Sequence, residues 1–249
     1  MDYNRIIPST KEKKMARLNV RLLGHSGFLV ESDGRFLLFD YYTDKAGVLF
    51  GGLPHGGFGA VLISHSHADH LNRAVFDMAV PGSTVIIADS GVEVPAWVEG
   101  AISMEPGGVA DLSWAKVEAF GSTDEGCSFL VELDGARIFH AGDLNDWYWE
   151  DESSPEELRA DEARFLAEMG KIKEGGMDIA FFPVDMRLGR HAARGAALFA
   201  KALSPKLIVP MHLNGRPDGR IIDELAGLSA LGSEVRVMSE PGEGFMLDI

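Results

Sequence analysis

Three histidines and an aspartate crowd one six-residue stretch, His65-Ser66-His67-Ala68-Asp69-His70. Imidazole nitrogens and carboxylate oxygens are the donors that zinc, manganese and iron(II) accept. His65 and His67, two apart in an extended turn, can aim at one ion. Asp69 and His70, adjacent and diverging, can aim at a second. The stretch follows Ala60-Val61-Leu62-Ile63, an apolar run that reads as a short buried strand. A polar surface loop needs no such pattern straight after a buried strand, so the pattern points to metal chemistry.

The elements that must position these groups are strands and hairpins. Arg17–Leu23 alternates and breaks at Gly24-His25-Ser26-Gly27; Phe28–Glu31 and Arg35–Phe39 flank Asp33-Gly34, a hairpin signal, and the second strand ends at Asp40. An internal echo follows. Phe129–Phe139 repeats that hairpin around Asp134-Gly135 and runs into His140-Ala141-Gly142-Asp143. Two strand-Asp-Gly-strand units, each ending near an aspartate, predict two similar halves whose sheets stack and whose outer faces helices cover. Further strands are expected at Thr84–Ala88, Trp114–Phe120, Met177–Asp185, Lys206–His212, Glu234–Ser239 and Phe245–Ile249. Helices are expected at 71–78, from Ser154, at 190–203 and at 218–231. Ser154-Pro155-Glu156-Glu157 carries a capping box with proline at the first helical position.

The His-x-His-x-Asp-His motif after a strand resembles the signature of the metallo-β-lactamase superfamily, and the order of later motifs matches from about Met15 onward. That resemblance implies an α/β fold, a four-layer αββα sandwich of two similar halves. It implies metal ligation by His65, His67, Asp69, His70, Asp143 and His212, with Asp143 offering one oxygen to each of two ions and Asp40 supporting the metal loop. Gly24-His25-Ser26-Gly27 resembles the branch containing ascorbate-6-phosphate lactonase, where an N-terminal histidine faces the active site. His25 would then bind substrate or shuttle a proton; the alternative is a plain turn residue. Asp69 and His25 are thus the expected catalytic groups. One departure stands out: the family places a further metal histidine before the second hairpin, and Phe120–Cys127 has none. Asp124, Ser122 or water would complete that position, or a single ion would sit at Asp69, His70, Asp143 and His212. His140 and Cys127 read as packed residues, and Asp185 and His191 as pocket candidates. Trp147-Tyr148-Trp149 would wall the pocket or pack the loop. The glycine-rich 44–59 segment is a candidate flap, with His55 a loop histidine rather than a ligand.

The implied activity is metal-dependent hydrolysis by a metal-held hydroxide, acting on a small, anionic ester, lactone or phosphate ester. The implied cofactor is one or two divalent ions, zinc first, with manganese, iron or nickel as alternatives. The rivals are a nuclease of the tRNA 3′-processing type, a redox enzyme on the same scaffold and a non-catalytic module with a degenerate site. The net charge of -15 argues against a nucleic-acid partner. No apolar run reaches the ~20 residues a spanning helix needs, so no membrane segment is expected. One cysteine in 249 residues excludes an internal disulfide and suits a reducing cytoplasm. A polar, flexible extension over residues 1–14 is expected to precede a single domain over 15–249. Homo-oligomerisation is left open.

Overall fold

The computed structural model describes residues 16–54, 58–172 and 176–249. The expected extension and His55 lie outside the described residues. Two seven-stranded mixed sheets stack face to face. The first holds β1 (Arg17–Gly24), β2 (Gly27–Ser32), β3 (Arg35–Phe39), β4 (Gly59–Ile63), β5 (Thr84–Asp89) and β6 (Ile102–Met104), with the last strand β14 (Gly244–Asp248) beside β1. The second holds β7 (Val109–Asp111), β8 (Ala115–Phe120), β9 (Ser128–Leu133), β10 (Ala136–His140), β11 (Ile179–Pro183), β12 (Leu207–Met211) and β13 (Glu234–Val235), in reverse spatial order. In each sheet an antiparallel hairpin pair leads into parallel strands, β3 to β4 to β5 in one and β10 to β11 to β12 in the other. The two halves are therefore similar, as the echo predicts.

Alternation along each strand of the first sheet assigns its faces. Phe28, Leu37, Phe39, Ala60 and Leu62 point to the inter-sheet core, while Leu29, Phe36, Leu38, Val61 and Ile63 point outward. Phe28 stacks on Phe181 of β11 at 4.2 Å between ring centroids, joining the sheets at their centre. The outer face of the second sheet is covered by α2 (Pro155–Met169) and α3 (Arg194–Leu203): Phe165 meets Phe182 edge-on, and Phe199 packs on Phe139 and Phe182. The outer face of the first is covered more thinly, by the single turn α1 (Val75–Met78) and by Leu49 and Leu53 of the 44–54 segment. Asp44 caps that segment by accepting from the amides of Val48 and Leu49 at 2.8 and 2.7 Å. It is a pinned cover for the core rather than a free flap.

The local signals hold where chemistry is local. Asp33-Gly34 and Asp134-Gly135 have positive φ at both positions, as type I′ turns require, and Arg35 pairs with Asp134 so that the hairpin tips meet. Ser154 and Glu157 form the capping box reciprocally at 3.3 and 2.8 Å. Boundaries differ where tertiary context intervenes. The expected helix 190–203 starts only at Arg194, because Gly189 turns the chain at φ 56 within the preceding 3-10 segment Met186–His191. The 218–231 helix is α4 (Gly219–Gly227) followed by a 3-10 turn Leu228–Leu231. The 89–113 stretch carries the short edge strands β6 and β7. Strand 234–239 shrinks to two residues: Arg236 N donates to Ile208 O, so the next ladder donor would be residue 210, a proline without an amide hydrogen. No helix among the described residues is long and apolar enough to cross a membrane.

Phe181→Ala should remove the stacked contact at the sheet interface and lower stability by roughly 3–5 kcal/mol, measured as a fall in the urea midpoint. An unchanged midpoint would mean that the sheets are held together elsewhere.

Candidate metal centre

The carboxyl ends of the central parallel strands and of the two hairpins meet at one edge, where irregular loops can carry function. The loop after β4 is shaped by Asp40. Its carboxylate accepts from Ser64 N at 2.7 Å, from Ser64 Oγ at 2.7 Å and from His70 Nδ1 at 2.7 Å, and it is buried. His70 N and Leu71 N then turn back onto His67 O. From the second half, Cys127 N donates to Ser64 O at 2.9 Å. Gly142 has φ 53, and a Cβ there would come within 2.7 Å of Cys127 O, so only glycine lets the Asp143 loop pack this closely.

His65, His70 and His212 each have Nδ1 engaged by a neighbouring oxygen, which sets the tautomer. His65 Nδ1 meets Ser64 Oγ at 2.9 Å; since that hydroxyl already donates to Asp40, the imidazole is the donor. His70 Nδ1 donates to Asp40, and His212 Nδ1 donates to Asp185 Oδ2 at 3.0 Å. The Nε2 atoms of all three are left facing inward. Around them the side chains fall into two groups, His65, His67 and Asp143 in one and His25, Asp69, His70 and His212 in the other, with the ligand atoms of each group all within 4.8 Å of one another. Asp143 stands between them. Its Oδ2 lies 3.4 Å from His65 Nε2, while Oδ1 lies 3.1 Å from His70 Nε2 and 3.5 Å from His212 Nε2.

These groups fit cations. His25 Nε2, His70 Nε2 and Asp143 Oδ1 are all buried without a hydrogen-bond partner, a costly arrangement unless an ion completes it. Burial disfavours charge on His70, but Asp143 and Asp40 outweigh it and push the imidazole up to about 10. Burial likewise opposes ionisation of Asp143, yet the surrounding histidines hold it well below the usual carboxylate range. The carboxylates of Asp40 and Asp143 thus favour positive charge at His70. Burial, and then His212 and His70, push His25 down to about 4, leaving a neutral ring with a free lone pair.

All the expected site residues converge here. His25 sits at φ 54 in the bulged turn between β1 and β2, and its carbonyl accepts from His212 N at 3.3 Å. Its Nε2 lies 3.4 Å from Asp69 Oδ2, in the second group rather than on the open cavity wall. His140 is packed, stacked on Phe39 at 4.9 Å and bonded to Ser26 O. Cys127 is buried against Asp89, and burial pushes its thiol up. Asp185 is fully buried beneath His212 rather than lining the cavity, and His191 pairs with Glu150 away from the centre. Sequence reasoning missed Glu125. Its carboxylate lies 3.3 Å from His67 Nε2, while His67 Nδ1 faces His65 Nε2 at 3.0 Å. Ser122 Oγ is occupied by the Asp124 amide, and Asp124 lines the cavity wall. Glutamate in a Ser-Thr-Asp-Glu-Gly turn carries no ligand signature, which is why Glu125 was not legible. Over the groups opens a cavity of about 410 Å³, walled by Trp147 and Trp149 and flanked by Arg187 and Arg164. The two indoles stack near-parallel, and Trp147 Nε1 donates to Asp143 O at 3.0 Å, whereas Tyr148 turns away onto Arg194.

The chain belongs to the metallo-β-lactamase superfamily: residues 19–161 match the family model described as the β-lactamase superfamily domain. Among its relatives, a UPF0173 metal-dependent hydrolase of Opitutus terrae is 28% identical over 91% of this chain and 98% of that protein. Another from Symbiobacterium thermophilum is 27% identical over 92% of this chain and all of that protein. Among solved structures, Igni18, a metallo hydrolase of Ignicoccus hospitalis, superposes with a TM-score of 0.66 at 23% identity over 94% of this chain and 99% of that one, a likeness of fold. By class the chain is a metal-dependent hydrolase of this superfamily.

Asp40→Asn is expected to weaken metal binding about 10–100-fold by releasing His70 and the Ser64 amide, read by competition with a chromophoric chelator. Wild-type affinity in that variant would remove Asp40 from the support of the site.

Proposed function

We propose that this chain hydrolyses a small ester, lactone or phosphate ester at a two-metal centre held by His65, His67 and Asp143 on one side and by His25, Asp69, His70 and His212 on the other. The observation that carries this is the Asp143 carboxylate, which presents one oxygen to each group. The donor set is imidazole and carboxylate without thiolate, which suits zinc and also manganese or iron(II). When bound, such ions supply Lewis acidity and lower the pKa of water to about 7.

The chain's own residues do the rest. Among the described residues the first group has three protein donors, and an open position of that kind is what separates catalytic from structural metal sites. The histidine absent before the second hairpin is thus compatible with turnover, which removes the one support of the non-catalytic reading. Asp69 is half exposed at the cavity floor and can orient a water or accept its proton. Asp40, Asp185, Glu125 and Ser64 hold the imidazoles in orientation. Trp147 and Trp149 exclude water from one side of the substrate. For His25, the buried Nε2 among three other ligand atoms favours metal binding over proton shuttling. The Gly24–Gly27 turn, which resembles that of the lactonase branch, keeps a lactone among the substrates.

Mass spectrometry of freshly purified protein should find close to two ions per chain, falling to about one in His25→Ala and to well under one in Asp143→Ala. A panel of 4-nitrophenyl esters, lactones and phosphate esters should be turned over by wild type and silenced by chelation. Wild-type metal content in Asp143→Ala, or turnover that survives complete metal removal, would defeat the proposal.

A further inference from the structure

Arg187 is held in an unusual way at the mouth of the cavity. Asp185 accepts from Arg187 N at 2.8 Å, from Nε at 3.0 and 2.9 Å through its two oxygens, and from Nη2 at 2.5 Å. One carboxylate thus fixes both the backbone and one edge of the guanidinium. Arg187 Nη1 makes no hydrogen bond to any described residue, the side chain is 55% exposed, and the guanidinium carbon lies 5.6 Å from the Trp149 ring centroid. The same Asp185 oxygen that takes Nη2 also takes His212 Nδ1 and Asn214 Nδ2. Three residues, Arg187, His212 and Asn214, thus donate to one carboxylate, which holds one edge of the guanidinium and leaves the other edge to the cavity.

Position gives this a use. Arg187 and Trp149 line the metal-centre cavity and also a neighbouring cavity of about 400 Å³, so they form the sill between the two. The other cation on the metal-side wall, Arg164, is tied to Asp161 by an Nη2 contact of 2.7 Å, and Arg190 of the neighbouring cavity is bound to Glu150. A planar guanidinium with a free edge, already ordered and backed by an aromatic face, is suited to a carboxylate or phosphate because little side-chain entropy remains to be lost.

We propose that Arg187, fixed by Asp185 and backed by Trp149, is a specificity-determining residue that binds an oxyanion of the substrate, carboxylate or phosphate, at a distance from the bond that is cut. This rests on the hydrolase reading for its role in turnover and deepens it, defining the substrate as one with a remote anionic group. Through Asp185 the anion site and the His212 side chain share one support, so the distance from the anion to the metal centre is set by the fold.

The test uses the metal-loaded full chain as wild type, Arg187→Gln and Arg187→Lys. Tryptophan fluorescence is titrated with succinate, 2-phosphoglycolate and neutral dimethyl succinate, and hydrolysis of 4-nitrophenyl acetate is compared with that of mono-4-nitrophenyl succinate. Wild type should bind one of the two oxyanions at least tenfold more tightly than the neutral diester. Arg187→Gln should cut that preference about tenfold, and the anion that loses more identifies the group recognised. The ratio of kcat/KM for the anionic over the neutral ester should fall by a similar factor, mainly through KM, and be partly restored by lysine. Equal oxyanion binding in wild type and Arg187→Gln would overturn the proposal, as would loss of metal from both variants, which would make Arg187 only a prop for His212. Failure to hydrolyse either ester while Arg187-dependent binding persists would instead defeat the hydrolase reading and leave the subsite standing.

Discussion

A carboxylate taken out of water must meet a cation or a full set of donors, and Asp40 meets that condition in a way that shapes the whole edge of the molecule. Its burial alone would cost several kcal/mol. It is offset by the Ser64 amide, the Ser64 hydroxyl and His70 Nδ1, each at 2.7 Å. Those three contacts draw the loop after β4 against the end of β3 and leave His70 with its other nitrogen turned to Asp143. Burial tends to raise Asp40, but His140 and His70 outweigh it and hold it at about 2, so the carboxylate stays charged across the neutral range. A charged carboxylate therefore stands directly behind the donor loop.

The second half repeats the device. Asp185, at the end of β11, orients His212, at the end of β12, much as Asp40 at the end of β3 orients His70 after β4. Glu125 stands to His67 and Ser64 to His65 in the same relation. Carboxylate or hydroxyl behind imidazole fixes tautomer and ring direction, and so aims the lone pair. The two halves contribute unequally: the first supplies His25 and a loop of four donors, the second Asp143 and His212. They are registered by short links close to the site, Cys127 N to Ser64 O, His212 N to His25 O and His140 Nε2 to Ser26 O. A shift of one sheet over the other would break these links and separate Asp143 from both donor groups. Arg187 adds a further load to Asp185, coupling the wall of the substrate cavity to a histidine of the metal edge.

Much of this was legible in the chain itself, for identifiable reasons. The donor loop, the paired Asp-Gly turns and the capped start of α2 are short-range patterns, in which a few neighbouring residues satisfy one another whatever surrounds them. The same holds for the strand ends at Asp143 and His212, because period-2 burial marks a strand and a polar residue marks its exit. Gly189 and Pro210 shorten elements whose hydrophobic pattern runs on.

The sequence by itself determined the donor-rich loop, the duplicated hairpins and the two-sheet class of fold, since these follow from residue types at fixed spacing along one chain. Only the tertiary structure decided that His25 joins the second donor group, that Asp185 lies beneath His212 and grips Arg187, that Glu125 stands behind His67, and that Trp147 and Trp149 wall the cavity while Tyr148 leaves it. Each of those outcomes depends on which atoms of distant segments come within about 3 Å of one another. Linear spacing cannot encode that distance; it is set by how two twisted sheets dock and by the direction in which each strand end is released.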